Sequence, residues 1–230
     1  MSAREPSHHE EPEPAEVVPE DVEVSLLFCD VVRSTELTRR LGDRGAYRVI
    51  QDFHNLVLRA AGPFNGQELE LRGDGVLLAF GGPQHAVDCA VEIQRGLQKV
   101  PVGRRVSARI GVHTGRALRV ESGYFGSNVI LSARVAEEAA PGEVLVSAAI
   151  VQRLAANPPP VDAGRWVALK GIPEANLVFS LRWRSRKAPR VGPQCSSAAH
   201  AAMLHTLGRA SEPRVTEDEA SCMLAERGGV

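Results

Sequence analysis

An apolar run that ends on a carboxylate constrains this chain more than any other feature in it. Residues 24–29 read Val-Ser-Leu-Leu-Phe-Cys, without a charge, the pattern of a central strand covered on both faces. The run ends on Asp30, and Ser34 and Thr35 stand just before the helical pattern Glu36-Leu37-Thr38-Arg39-Arg40-Leu41. A carboxylate at a strand end beside a helix N-terminus suits a metal–phosphate site. The first helical turn leaves backbone N–H groups free for phosphate oxygens, and the carboxylate offers Mg²⁺ a hard oxygen ligand. A second run, Leu-Arg-Gly-Asp-Gly at 71–75, sets Asp74 between two glycines ahead of Val76-Leu77-Leu78-Ala79-Phe80. That pattern predicts a tight hairpin with a carboxylate at its tip. If strands 24–29 and 76–80 are neighbours, Asp30 and Asp74 converge on one metal cluster. Taken singly, each aspartate has a plainer reading, as a helix cap and as a turn residue; the ordered pair is more specific.

The rest of the chain supplies one domain around this pair. With 230 residues there is room for an ordinary domain plus tails. A formal net charge of −1 gives no ground for a nucleic-acid binder or a basic membrane-surface protein. No apolar stretch approaches the length of a membrane span, and the N-terminus lacks a basic-then-apolar signal. Cys29, Cys89, Cys195 and Cys222 have neither metal-like nor disulfide-like spacing, which reads as reduced thiols in a cytoplasmic protein. Residues 1–21 are rich in Glu and Pro and read as a solvated tail, in which His8 and His9 are incidental. From Arg184 onward Arg, Lys, Pro, Gly and Ser predominate. Residues 184–230 therefore read as a linker and a mostly disordered tail, with short helical patterns at 197–207 and 216–226.

Between the tails, strand and helix patterns alternate. Tyr47, Ile50, Phe53, Leu56, Val57 and Ala60 recur at helical spacing until Gly62-Pro63. A hairpin of strands at 67–72 and 75–80 follows, then a helix at 84–98. A strand at 106–112 leads through His113-Thr114-Gly115 into a second one near 116–121, and a helix spans 127–139. A strand at 143–147, a helix to about 155 and a hairpin of 166–170 with 176–183 complete the pattern. This order predicts an α+β sandwich with helices on one face of a sheet. His113 reads either as a general base or as a strand-end histidine bonded to backbone.

Phe-Cys-Asp-Val-Val-Arg-Ser-Thr at 28–35, Glu-Leu-Arg-Gly-Asp-Gly at 70–75, Arg-Ile-Gly-Val-His-Thr-Gly at 109–115, Phe-Gly-Ser-Asn-Val-Ile-Leu-Ser-Ala-Arg-Val at 125–135 and Gly-Glu-Val-Leu-Val-Ser at 142–147 occur in this order. Together they resemble the class III adenylate/guanylate cyclase catalytic domain in its soluble bacterial form, over residues 22–183. The resemblance implies a ferredoxin-like βαββαβ core with appended strands and helices, the nucleotide cyclase fold. It implies conversion of a nucleoside triphosphate to a 3′,5′-cyclic nucleotide and pyrophosphate with two Mg²⁺ or Mn²⁺ ions per site. Asp30 and Asp74 are then the shared metal ligands, helped by the Val31 carbonyl. Val32, Arg33, Ser34 and Thr35 would present amides to the triphosphate. The family's dimer is head-to-tail with composite sites, so the partner chain would supply Arg134 to the α-phosphate and Lys170 to the terminal phosphates. Without the family, Arg134 and Lys170 read as a solvated helix residue and an exposed turn.

The departures fall on the nucleoside pocket. Glu70 stands four residues before the second metal aspartate, where adenylyl cyclases have a base-reading lysine. Gly123 occupies the other base-reading position, Ile130 replaces the asparagine that orients the ribose, and Glu68 replaces an arginine found in some members. An ionised Glu70 accepts hydrogen bonds only, so it suits guanine N1–H and N2–H₂ better than adenine, and GTP is expected ahead of ATP. Each missing hydrogen bond costs roughly 1–3 kcal/mol, about ten- to a hundredfold in rate. A slow enzyme is therefore expected, with a nucleotide-binding or interaction module lacking activity as the alternative. A diguanylate cyclase is disfavoured because no GG[DE]EF run is present.

Overall fold

The computed structural model describes residues 19–101, 106–121, 123–154, 156–157 and 159–184. The tails expected at 1–21 and 184–230 lie almost wholly outside these. Four strands and two helices form the core in the order β1 (Glu20–Val31), α1 (Ser34–Ala61), β2 (Gln67–Arg72), β3 (Gly75–Phe80), α2 (Pro83–Lys99), β4 (Ala108–Val120). These core strands lie side by side as β2-β3-β1-β4, each pair antiparallel, which is the expected βαββαβ arrangement. The chain then adds β5 (Gly123–Phe125), α3 (Ser127–Glu137), β6 (Val144–Ser147), α4 (Ala148–Arg153), β7 (Arg165–Ala168) and β8 (Ala175–Ser180). β6 runs parallel to β4, and the sheet continues outward through β8 to β7.

β1 is central because it is apolar on both faces. Leu27 and Cys29 lie on one side and Val24 and Leu26 on the other, all at most 4% exposed. Alternation along a strand sends these two sets to opposite faces. Leu26 and Val24 pack with Leu77, Ala79 and Ala117, and with Val129 of α3. On the reverse face Cys29 lies near Cys89 of α2, and Gln94 of α2 donates to the Ala108 carbonyl at 3.0 Å. Helices therefore cover both faces of the sheet, not one as the element order predicts. Periodicity shows which residues of a helix are buried but not which side of the sheet receives them.

Two further expectations change. The strands expected at 106–112 and 116–121 are one continuous 13-residue β4, because His113 and Thr114 are buried in mid-strand. The helical patterns at 36–41 and 47–60 form one helix, broken only by the non-helical backbone of Gly42 at φ 68°. Among the described residues no helix is long and apolar enough to cross a membrane.

Gly111 of β4 fixes how α3 sits. A Cβ there would stand 2.3 Å from the Ala136 backbone nitrogen, so β4 and α3 approach backbone to backbone. Overpacking of this kind costs about 3 kcal/mol or more. Gly111→Ala is therefore expected to lower Tm by roughly 6–12 °C in a thermal melt. A melt within about 2 °C of the native protein would show that α3 yields at no cost.

Candidate active site

The site begins with the register of β1. Asp30, next to last in the strand, pairs with Gly75 of β3 on one side and Arg109 of β4 on the other. The Val31 N–H donates to the Asp74 carbonyl at 3.2 Å, which fastens the β2–β3 turn to the end of β1. Asp74 thus stands in the turn beside the end of β1 that carries Asp30, near enough for its charge to act on the Asp30 carboxyl.

Burial raises the Asp30 carboxyl above the usual carboxylate range, and the charge of Asp74 adds to the rise. Opposing them is Arg109, which holds one Asp30 oxygen through Nη2 at 2.7 Å and Nε at 3.1 Å. Its Nη1 donates to the Glu137 carbonyl at the end of α3, at 3.1 Å. Arg109 is the site residue that the sequence reading missed. Its signal was an arginine inside the otherwise apolar run 106–112, but only the β1–β4 register shows that it faces Asp30.

A half-buried carboxylate with a second one nearby calls for a cation, and in this chain the guanidinium of Arg109 serves Asp30. The same donor set fits Mg²⁺ or Mn²⁺: Asp30, Asp74 and the Val31 carbonyl are all hard oxygen ligands. No cluster of three or more acidic, histidine or cysteine side chains occurs among the described residues. An ion here would accordingly take its other oxygens from water and phosphate, as Mg²⁺ commonly does.

Beside this pair, the entry to α1 offers amides. Val32 is already committed, its N–H donating to the Ser107 carbonyl at 2.8 Å. Arg33 then turns the chain with a left-handed backbone, φ 59°, and no side chain caps the helix. The first helical bond reaches back from Leu37 to the Arg33 carbonyl, so the amides of Ser34 and Thr35 open the helix without intrahelical partners. A left-handed non-glycine residue here keeps that first turn aimed past Asp30, at a cost of order 1–3 kcal/mol.

A cleft of about 230 Å³ extends from Asp30 across β3 to β2, lined among others by Phe28, Glu70, Arg72, Leu77, Arg109 and Glu137. Glu70 and Arg72 form an ion pair at 2.6 Å on its wall. Gly123, φ 128°, lies beside the same wall: a Cβ there would stand 3.7 Å from Leu69 Cδ2. Ile130 is 53% exposed on α3.

Arg134 and Lys170 are not brought to this cleft. Arg134 pairs with Glu137 on its own helix. Lys170 is exposed in the turn after β7, at the sheet edge four strands from β1 in the order β1-β4-β6-β8-β7. At about 4.8 Å per strand spacing, that separation is on the order of 19 Å.

His113 takes neither role anticipated for it. Its Nε2 lies 2.8 Å from Asn128 Oδ1 and its Nδ1 2.8 Å from Ser147 Oγ. Asn128 also donates to the Arg116 carbonyl at 2.6 Å. Because the amide oxygen can only accept, the proton is on Nε2 and Nδ1 accepts from the serine hydroxyl. Burial lowers the imidazole pKa, and the neutral ring bridges β4, α3 and β6 inside the fold.

This fold and cleft have relatives. Residues 17–181 match the model of the adenylate and guanylate cyclase catalytic domain, and the chain belongs to that family. It is 34% identical over 128 residues to a putative adenylate cyclase 3 of Rhizobium meliloti, covering 54% of this chain and 22% of that protein. It is 32% identical over 164 residues to an uncharacterized protein of Mycobacterium tuberculosis, covering 69% of this chain and 55% of that one. The chain thus spans about half or less of the length of these relatives. Among solved structures, the guanylyl cyclase Cya2 superposes with a TM-score of 0.65 at 21% identity, over 71% of this chain and 93% of Cya2.

Because ionised Asp30 is disfavoured in the folded state, the sign of its linkage is unusual for a carboxylate. Its raised folded pKa contributes stability that is present below the unfolded value and is lost as pH rises through the folded one. At neutral pH the charge therefore destabilises the fold. Asp30→Asn in metal-free buffer is expected to melt at or above the native Tm. A melting point several degrees lower would mean that the Arg109 pair outweighs desolvation.

Proposed function

We propose that this chain cyclises a purine nucleoside triphosphate, GTP ahead of ATP, in a head-to-tail homodimer with two Mg²⁺ or Mn²⁺ ions per site. The observation that carries the reading is the pair of neighbouring carboxylates, Asp30 and Asp74, beside the open first turn of α1. In the reaction the ribose 3′-oxygen attacks the α-phosphorus and loses its proton. The bond from the α-phosphorus to the oxygen bridging it to the β-phosphate breaks, and pyrophosphate leaves. Bound metal would lower the pKa of the attacking hydroxyl and neutralise charge on the leaving group. The chain's own residues position the reactants, which is most of the work in phosphoryl transfer.

Asp30, Asp74 and the Val31 carbonyl hold the cations. Arg33, Ser34 and Thr35 direct amides at the triphosphate, with Val32 contributing backbone shape because its N–H is already engaged. A divalent cation held by Asp30 would compete with Arg109 for the carboxylate oxygen that Arg109 now holds. Arg134 and Lys170 act on the substrate of a second copy. This division is supported by the distance of Lys170 from β1. A nucleoside triphosphate substrate and the buried, unpaired thiols of Cys29 and Cys89 suit the cytoplasm.

Glu70 sets the base preference, while Gly123 and Ile130 add no reading contact. One carboxylate seldom provides more than a few kcal/mol of discrimination, so selectivity is modest and turnover slow. Incubation of the purified chain with each of the four nucleoside triphosphates and Mn²⁺ is expected to yield cyclic GMP fastest. Glu70→Lys should lower the GTP/ATP ratio of kcat/KM, and Ile130→Asn should raise kcat. Absence of any cyclic product would refute the enzyme and leave a nucleotide-binding module; strong preference for ATP would refute the role of Glu70.

A further inference from the structure

Arg72 has no part in the reading above, yet it lines the same cleft as Asp30 and Glu70. Residues 70 and 72 are two apart on β2 and so share a face, and their side chains meet at 2.6 Å. β3 confirms which face this is. Glu70 is opposite Leu77 and Arg72 is opposite Gly75, and these are the β3 partners of Phe28 and Asp30 in β1. The pair therefore stands on the side of the sheet that carries the carboxylates. Side-chain exposure of 84% for Arg72 and 42% for Glu70 means that the ion pair adds little to stability. It also leaves the guanidinium with donors free toward the cleft, since one Arg carries five.

We propose that Arg72 is a specificity-determining residue that donates to O6 and N7 of guanine while Glu70 accepts from N1–H and N2–H₂ of the same base. The chemistry is complementary. Guanine presents two acceptors, O6 and N7, beside two donors, and a guanidinium matches the O6/N7 pair bidentately. A carboxylate beside a guanidinium mirrors that donor and acceptor order. The ion pair sets the two side chains next to each other on the cleft wall, within reach of one base. Arg72 thus supplies the second base contact that Gly123 lacks. Adenine offers N7 but places an amino donor where guanine has O6, so it meets donor against donor at Arg72. The proposal rests on the nucleotide-binding cleft described above.

Analogues separate the two residues' roles. 7-Deaza-GTP lacks N7 and 6-thio-GTP weakens the O6 acceptor, while both keep the N1–H and N2–H₂ donors; ITP lacks only the 2-amino group. Affinities of the full chain are read by displacing a fluorescent GTP derivative blocked at its 3′-oxygen, so that binding is measured apart from turnover. The native protein is expected to bind GTP about tenfold or more tightly than 7-deaza-GTP and 6-thio-GTP. In Arg72→Ala both ratios should fall to near one while the GTP/ITP ratio persists. Arg72→Lys, which keeps the charge but not the fork, should restore the ratios only in part. The inference is overturned if the native protein binds GTP and 7-deaza-GTP alike. It is equally overturned if Arg72→Ala weakens all four nucleotides by one common factor. Discrimination in binding without any cyclic product would support the role of Arg72 and remove the cyclase reaction instead.

Discussion

The rest of the site depends on one unfavourable placement, the partial burial of the Asp30 carboxylate at the end of β1 with the charge of Asp74 nearby. Asp30 is brought there by a strand that is buried on both faces and held in register by its backbone pairing with β3 and β4. Asp74 is brought there by a hairpin whose turn is tied to Val31 through the backbone. The protein places a guanidinium against Asp30, and in the function proposed above the same electrostatic demand is met by divalent cations and the phosphates that accompany them. Stability is given up at the point where function needs charge, a common trade in binding sites.

α3 connects this local strain to the remainder of the fold. Its close seat over Gly111 brings Ala136 and Glu137 to the cleft wall, and the carbonyl of Glu137 receives the far end of Arg109. The same helix carries Arg134, paired with Glu137. The neutral His113, held between Asn128 and Ser147, braces α3 from beneath. A single helix thereby lines the cleft and carries the paired Arg134.

Much of this was legible in the sequence, and what was not has identifiable causes. The hairpin of β2 and β3 and the strand before Asp30 were readable because apolar runs and glycine punctuation are local signals. The convergence of Asp30 and Asp74 required only that two such strands be neighbours. Arg109 was not readable, because its role depends on cross-strand register, which one strand's pattern does not contain. The placement of helices on both faces was lost for a similar reason, and His113 gave no sign of its two side-chain partners, which come from α3 and the end of β6. Val32 matches the phosphate motif in sequence, yet its amide is occupied by Ser107, a contact between residues far apart in the chain.

The central claim is that this cleft is half of a site, completed by Arg134 of another copy. Mixing two inactive variants tests it most directly. Asp30→Ala protomers lack the metal carboxylate but keep Arg134, and Arg134→Ala protomers have the reverse defect. Each variant alone should be inactive. In a heterodimer, one of the two clefts combines an intact Asp30 with an intact Arg134. Cyclic nucleotide production should therefore reappear on mixing and rise with the heterodimer fraction. If subunit exchange is demonstrated and the mixture stays as inactive as its components, the two-chain site is contradicted.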